Sequence, residues 1–175
     1  GLDFSLKYRS PQSYLWVAYS LAVVRRDDGQ QVYPTSYDRR HNLNVLGVYT
    51  FDRGKKWEAA LRWNLGSGFP FTQTQGFFQN VPIGPGVLQT NVPGGNYPIG
   101  VILSSVRNGG RLPYYHRLDL SLKRRFRLGK TAALEVNASA RNAYNRENVF
   151  YIDRSTNRKV NQLPVIPALG LTGRF

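Results

Sequence analysis

The chain has 175 residues, 24 of them Lys or Arg and 10 Asp or Glu, for a formal net charge of +14. It contains no Cys and no Met, which excludes disulfide frameworks, thiolate metal sites and cysteine nucleophiles. With two His, no P-loop, no dinucleotide-binding glycine pattern and no zinc spacing, neither catalysis nor a metal or other cofactor is expected.

Alternation of apolar and polar residues then recurs down the chain, the signature of strands with two unlike faces. The first run places Leu2, Phe4, Leu6 and Tyr8 against Asp3, Ser5 and Lys7, and residues 10–12 read as a turn. The second sets Leu15, Val17, Tyr19, Leu21 and Val23 against Tyr14, Trp16, Ala18, Ser20 and Ala22. Residues 25–40 are polar and charged, a loop. The third run sets Leu43, Val45, Gly47, Tyr49 and Phe51 against Asn42, Asn44, Leu46, Val48 and Thr50, and Asp52-Arg53-Gly54 makes a tight turn. The fourth sets Trp57, Ala59, Leu61, Trp63 and Leu65 against Glu58, Ala60, Arg62 and Asn64. Residues 66–113, rich in Gly, Pro, Asn and Gln, break the rhythm and read as one long functional loop. The fifth run is the clearest, with Leu118, Leu120, Leu122, Phe126 and Leu128 opposing Arg117, Asp119, Ser121, Lys123, Arg125 and Arg127. After a turn at 129–131, the sixth sets Ala132, Leu134, Val136, Ala138 and Ala140 against Ala133, Glu135, Asn137, Ser139 and Arg141. Residues 142–161 are a polar loop with room for a hairpin at Val149–Ile152, and the seventh run, from Leu163, ends the chain.

No run of about 18 apolar residues is present, so no helical membrane span is expected, and no signal peptide is seen. The length suits one domain. The missing initial Met sets the expectation of a chain that is not a whole translation product. Three features favour a transmembrane β-barrel over a soluble sheet with one wet face. The second, fifth and sixth runs reach the roughly 9–11 residues that a tilted strand needs to cross a bilayer. Short turns alternate with long loops, as in outer-membrane barrels. Charged residues sit in mid-strand on one face, and Tyr8, Phe51, Trp57 and Phe126 lie near strand ends, where interfacial aromatics belong. Seven strands are odd in number, so an antiparallel wall of this chain alone cannot close. The rival is a complete eight-stranded barrel that uses Tyr97–Val106 as an extra strand.

The stretches Tyr37-Asp38-Arg39-Arg40-His41-Asn42-Leu43-Asn44, Asn64-Leu65-Gly66-Ser67-Gly68-Phe69-Pro70-Phe71 and Arg111-Leu112-Pro113-Tyr114-Tyr115-His116-Arg117-Leu118-Asp119-Leu120-Ser121 follow one another in that order. Together with Asn145-Arg146-Glu147-Asn148 they resemble the C-terminal barrel strands of TonB-dependent outer-membrane receptors, in the variety of Bacteroidetes-like bacteria. The resemblance spans nearly the whole chain. It implies the last third of a 22-stranded barrel in a bacterial outer membrane, for nutrient uptake. The implied partners are the rest of the barrel, a plug, the TonB complex acting through that plug, and outer-membrane lipids. Neither plug nor TonB box is recognisable here. The terminal Phe175, with Leu171 and Leu169 before it in alternation, resembles the assembly signal of outer-membrane proteins, although Gly173 departs from the hydrophobic residue expected there.

Candidate sites follow from this expectation. Arg62, Arg117, Asp119, Glu135 and Arg141 are expected to face the lumen, where they pair across strands or meet substrate. Phe69, Phe71, Phe77 and Phe78, with Tyr114 and Tyr115, are the candidates for contact with substrate or with a surface lid lipoprotein. The simpler alternative is that they pack the loop on itself. His41 and His116, each beside an Arg at a strand start, suit interface positions better than a catalytic pair. The basic cluster Lys123, Arg124, Arg125, Arg127 and Lys130 straddles a turn and suits anionic headgroups better than nucleic acid, because a leucine stripe rather than stacking aromatics leads into it. Two further readings remain from other classes: a structural or assembly barrel segment of a multi-chain outer-membrane complex, and a soluble basic β-protein that binds nucleic acid.

Overall fold

A computed structural model describes residues 1–51, 54, 56–79, 98–129 and 132–174. Phe175, Lys130, the turn residues Asp52 and Arg53, and the glycine-rich part of the long loop lie outside the described residues. The fold is all-β. Its strands are β1 (Leu2–Arg9), β2 (Ser13–Leu21), β3 (Arg25–Asp27), β4 (Val32–Pro34), β5 (His41–Phe51), β6 (Trp57–Gly66), β7 (Pro70–Phe71), β8 (Thr74–Gln79), β9 (Ile99–Leu103), β10 (Gly110–Arg111), β11 (Tyr115–Leu128), β12 (Ala132–Arg141), β13 (Val149–Ile152), β14 (Lys159–Asn161) and β15 (Ile166–Arg174).

The seven long strands form one antiparallel sheet in the order β1-β2-β5-β6-β11-β12-β15. These are the seven alternating runs of the sequence. Each strand pairs with the next long strand in the chain, so all short turns fall at one end of the sheet and all long loops at the other. The sheet is open: β1 and β15 are its edges and do not pair with each other. The loops are not structureless. Residues 25–34 hold the β3–β4 hairpin, and Val149–Ile152 pairs with Lys159–Asn161 as β13–β14. The stretch 66–113 carries β7 paired with β10 and β8 paired with β9. The Tyr97–Val106 region does contain a strand, Ile99–Leu103, but it pairs with β8 in the loop rather than joining the main sheet. That removes the eighth wall strand the rival barrel required.

Pairing register assigns the faces, because directly opposed residues point the same way. Leu43, Val45 and Gly47 of β5 oppose Leu65, Trp63 and Leu61 of β6. These continue into Leu118, Leu120 and Leu122 of β11, then Ala138 and Ala140 of β12, then Leu169 and Pro167 of β15. On the other side, Leu6, Val17 and Val45 line up across β1, β2 and β5. One face is therefore apolar across all seven strands. The opposite face carries Lys7, Asn44, Asn64, Arg62, Arg117, Asp119, Lys123, Glu135 and Arg141.

No aliphatic or aromatic side chain among the described residues is fully buried, Pro70 apart. A soluble sheet normally covers its apolar face with a second layer of structure. Among the described residues no second layer lies against it, and Leu61, Leu120, Leu122, Leu169 and Leu171 are all exposed. Aromatic rings cluster at both ends of this face. Tyr49, Phe51 and Trp57 stack in series near the short turns, with centroids 6.2 Å and 5.9 Å apart. The Arg124 guanidinium lies between the Trp57 and Phe126 rings. Near the loop end, Tyr19 meets His41 at 2.9 Å from hydroxyl to Nδ1, and the Tyr144 hydroxyl reaches His116 Nδ1 at 2.7 Å and accepts from Trp63 Nε1 at 3.3 Å. The two histidines thus sit on separate strands among aromatics, each bonded to a tyrosine.

Candidate functional site

The loop end of the sheet is built on four buried polar residues, Asp38, Ser67, Asn142 and Asn148. Asp38 precedes β5 and Arg111 lies in β10, yet the Arg111 guanidinium bonds the Asp38 carboxylate directly and donates to the carbonyls of Asp38 and Gly68, each at 3.1 Å. The Val24 amide donates to the same carboxylate at 2.8 Å. Burial pushes the Asp38 carboxyl up, but the Val24 amide and the Arg111 charge more than reverse this and hold it below the ordinary value of 3.8. Further out, Arg107 pairs with Asp28 at 2.8 Å and Asn108 Nδ2 donates to the Pro34 carbonyl at 2.8 Å, so the first two long loops are joined along their length.

The third loop is tied to β11. Pairing of β11 with β12 begins only at Leu120, which leaves the backbone of residues 115–119 without a strand on that side. Asn148 takes that place: its Oδ1 accepts from the His116 amide at 3.1 Å and its Nδ2 donates to the His116 carbonyl at 2.9 Å. Asn142, in the left-handed region at φ 52°, a conformation asparagine tolerates, donates through Nδ2 to the carbonyls of Arg146 and Leu163.

Two concavities result. The outer one, about 620 Å³, lies between the three loops. Its walls are Tyr37 of the first loop, Phe69 and Phe71 of the second, and Phe150, Tyr151 and Arg154 of the third. The inner one, about 330 Å³, opens on the polar face of the sheet beneath Phe69. It is lined by Arg39, Arg62 and Arg117, by Asn42, Asn44 and Asn64, and by Tyr115. Arg39 lies 4.3 Å over the Phe69 ring and 5.5 Å over Tyr115. Its guanidinium rests on Gly66, and a Cβ there would come within 2.6 Å of its Cζ, so only glycine admits this placement.

The sequence candidates separate accordingly. Phe69 and Phe71 line the outer cleft, and Phe69 and Tyr115 line the inner one. Tyr114 is exposed, and its carbonyl accepts from Arg146. Phe77 and Phe78 stand on the β8–β9 hairpin, Phe78 packed over Gly100 and both well exposed. Arg62, Arg117, Asp119, Glu135 and Arg141 share the polar face. Arg117 pairs with Asp119 at 2.9 Å, and Glu135 pairs with Arg125 at 3.1 Å and Lys123 at 3.6 Å. Leu169 and Leu171 lie exposed on the apolar face of β15. Arg39, Asp38 and Arg111 were not among the candidate site residues, although all three fall inside the quoted motifs. Those motifs, far apart in the chain, meet in space: Asp38 with Arg111, and Arg39 with Gly66, Phe69 and Tyr115. Among the described residues no group of three potential metal ligands comes together. Comparison with family models, curated proteins and solved structures finds no match for this chain.

Proposed function

We propose that the chain is a wall segment of a bacterial outer-membrane transporter of the TonB-dependent kind, serving nutrient uptake. One observation carries the reading: among the described residues no layer covers an apolar face seven strands wide, while the opposite face is charged. Hydrocarbon is the solvent that suits the first face, and a water-filled lumen suits the second. The dimensions agree. From Phe51 to His41 the strand advances about 34 Å, which a tilt of about 40° reduces to the roughly 25 Å of a barrel's apolar band. The aromatic clusters at both ends of this face match the interfacial girdles of such barrels. Outer loops tied together by Asp38, Arg107 and Arg111 would form the ligand-facing surface. A plug, the TonB complex and a lid lipoprotein are the partners this reading calls for.

Three of the five residues of the basic cluster are engaged within the sheet, which favours the membrane reading over the nucleic-acid one. Lys123 and Arg125 are engaged by Glu58 and Glu135, and Arg124 is held between two aromatic rings. The two unpaired edges suit equally a wall completed by another polypeptide, which is the structural-segment alternative. Fractionation of cells expressing the full protein tests the proposal. It should partition with the outer membrane and run faster on gels before boiling than after. Recovery as a soluble species without detergent would exclude it. Co-purification with a plug domain separates a transporter from a purely structural wall.

A further inference from the structure

The polar face holds an arginine that has aromatic rings around it but no described anionic partner. Arg39 is half-buried, and its Nε has no hydrogen-bond partner. Its guanidinium makes no ion pair or hydrogen bond with any described residue, although aromatic rings and the Gly66 backbone hold it in place. Burial draws its pKa below the ordinary arginine value, the reverse of what an adjacent carboxylate would do. A partly desolvated, unpaired cation is unfavourable unless an anion completes it. Arg117, on the same concavity, has one buried partnerless Nε of its own. Arg62 makes no ion pair among the described residues. The site therefore presents three guanidiniums and no carboxylate in its described lining; Asp119, the partner of Arg117, is already bonded to it and to the Asn142 amide. The amides of Asn42, Asn44 and Asn64 add neutral hydrogen-bonding capacity to the same wall.

We propose that the concavity formed by Arg39, Arg62 and Arg117 binds the oxyanion group of a small solute, a carboxylate, phosphate or sulfate. Guanidinium forks match such groups in shape and charge, and a fork held flat by Phe69 and Gly66 loses little freedom on binding. The volume, about 330 Å³, suits a head group or a small polyanion rather than a folded partner. Phe69 also lines the outer cleft, so a solute with an apolar or sugar body could lie across the loop aromatics and place its anionic end on Arg39. The site rests on geometry alone; that the solute is cargo rests on the proposed function.

Calorimetric titration of the full protein in detergent at low salt, with inorganic pyrophosphate as probe and an uncharged disaccharide as control, tests the site. Saturable pyrophosphate binding is expected, weakened about tenfold in Arg39→Gln, as loss of a charge-assisted bond predicts. Gly66→Ala keeps every charge but displaces the Arg39 guanidinium, and should weaken binding comparably. Arg125→Gln, on the same face but near the short turns, should leave it unchanged. Absence of saturable binding in a preparation that runs as a folded barrel overturns the proposal. So does binding that neither Arg39→Gln nor Gly66→Ala alters. An acidic segment of the protein already seated there would appear as the first of these. Should the protein prove soluble without detergent, the function fails while the same titration still decides the site.

Discussion

Asp38 is fully buried and its partner Arg111 is largely so, and together they hold the first loop against the second. Removing the carboxylate by Asp38→Ala would strand the Arg111 charge, and should lower stability by about 3 kcal/mol, read as earlier unfolding in detergent and faster proteolysis near residues 25–40 and 104–112. Acid should act on the same contact. Because the folded-state value of Asp38 lies below the ordinary 3.8, its contribution is complete above that pH and is lost as pH falls through the folded value. Loop protection from proteolysis should therefore decline below about pH 4 in the native protein, while Asp38→Asn should be weaker at neutral pH and flatter with acid. A native protein whose loops resist acid as well as Asp38→Asn would contradict the assignment.

At the scale of elements, β11 tests which face is which. Leu120 lies between Leu61 and Ala140, and the next residue, Ser121, lies between Ala60 and Ser139 on the opposite face. An Arg on the lipid side of a barrel costs about 2–4 kcal/mol at the midplane. Leu120→Arg should sharply reduce the amount of protein inserted in the outer membrane, and Ser121→Arg should be tolerated; equal abundances would count against the two-faced wall. Asn148→Ala, which exposes the His116 amide and carbonyl, should loosen the start of β11 alone, seen as faster amide exchange there with exchange at residues 120–127 unchanged.

The same strand shows how far the sequence could be read. Alternation made the seven long strands legible, because Leu118, Leu120 and Leu122 alternate with charge and turn residues stop the pattern. Of the short strands in the long loops, the Val149–Ile152 hairpin was legible and most others escaped it. Pro70–Phe71 and Gly110–Arg111 are too short to show a period, and Thr74–Gln79 pairs with Ile99–Leu103 through a register shift beside a glycine. The charged-face set emerged from alternation too, since mid-strand charge is visible one strand at a time. Arg39 and Asp38 did not, for their meaning comes from residues some 30–75 positions away that only the sheet brings near. Nor does alternation say which apolar face lacks a cover, because a sandwich and a barrel write the same pattern.

For the whole molecule, the two edges are decisive. Six reversals separate β1 from β15, so they run in the same direction and cannot close an antiparallel wall by meeting. The absence of native Cys makes this easy to probe. A cysteine pair at Ser121 and Ser139, which are directly opposed, should be joined by a short bifunctional reagent. A pair at Ser5 and Gly170, on the two edges, should not be joined within one chain. Efficient joining of the edge pair would mean a closed seven-stranded ring.

The lack of a buried apolar core among the described residues also governs how stability responds to temperature. The heat-capacity increase on unfolding, about 12–15 cal/mol/K per residue in water-soluble domains, comes from apolar groups newly meeting water. Here those groups point out of the protein while it is folded. If hydrocarbon surrounds them, and still surrounds most of them after the hydrogen bonds break, little surface changes solvent. The stability curve should then be nearly straight where that of a soluble domain of this length is domed. Cooling would bring no cold denaturation, and the melting point would follow the thickness and fluidity of the lipid more closely than any single side-chain substitution on the apolar face.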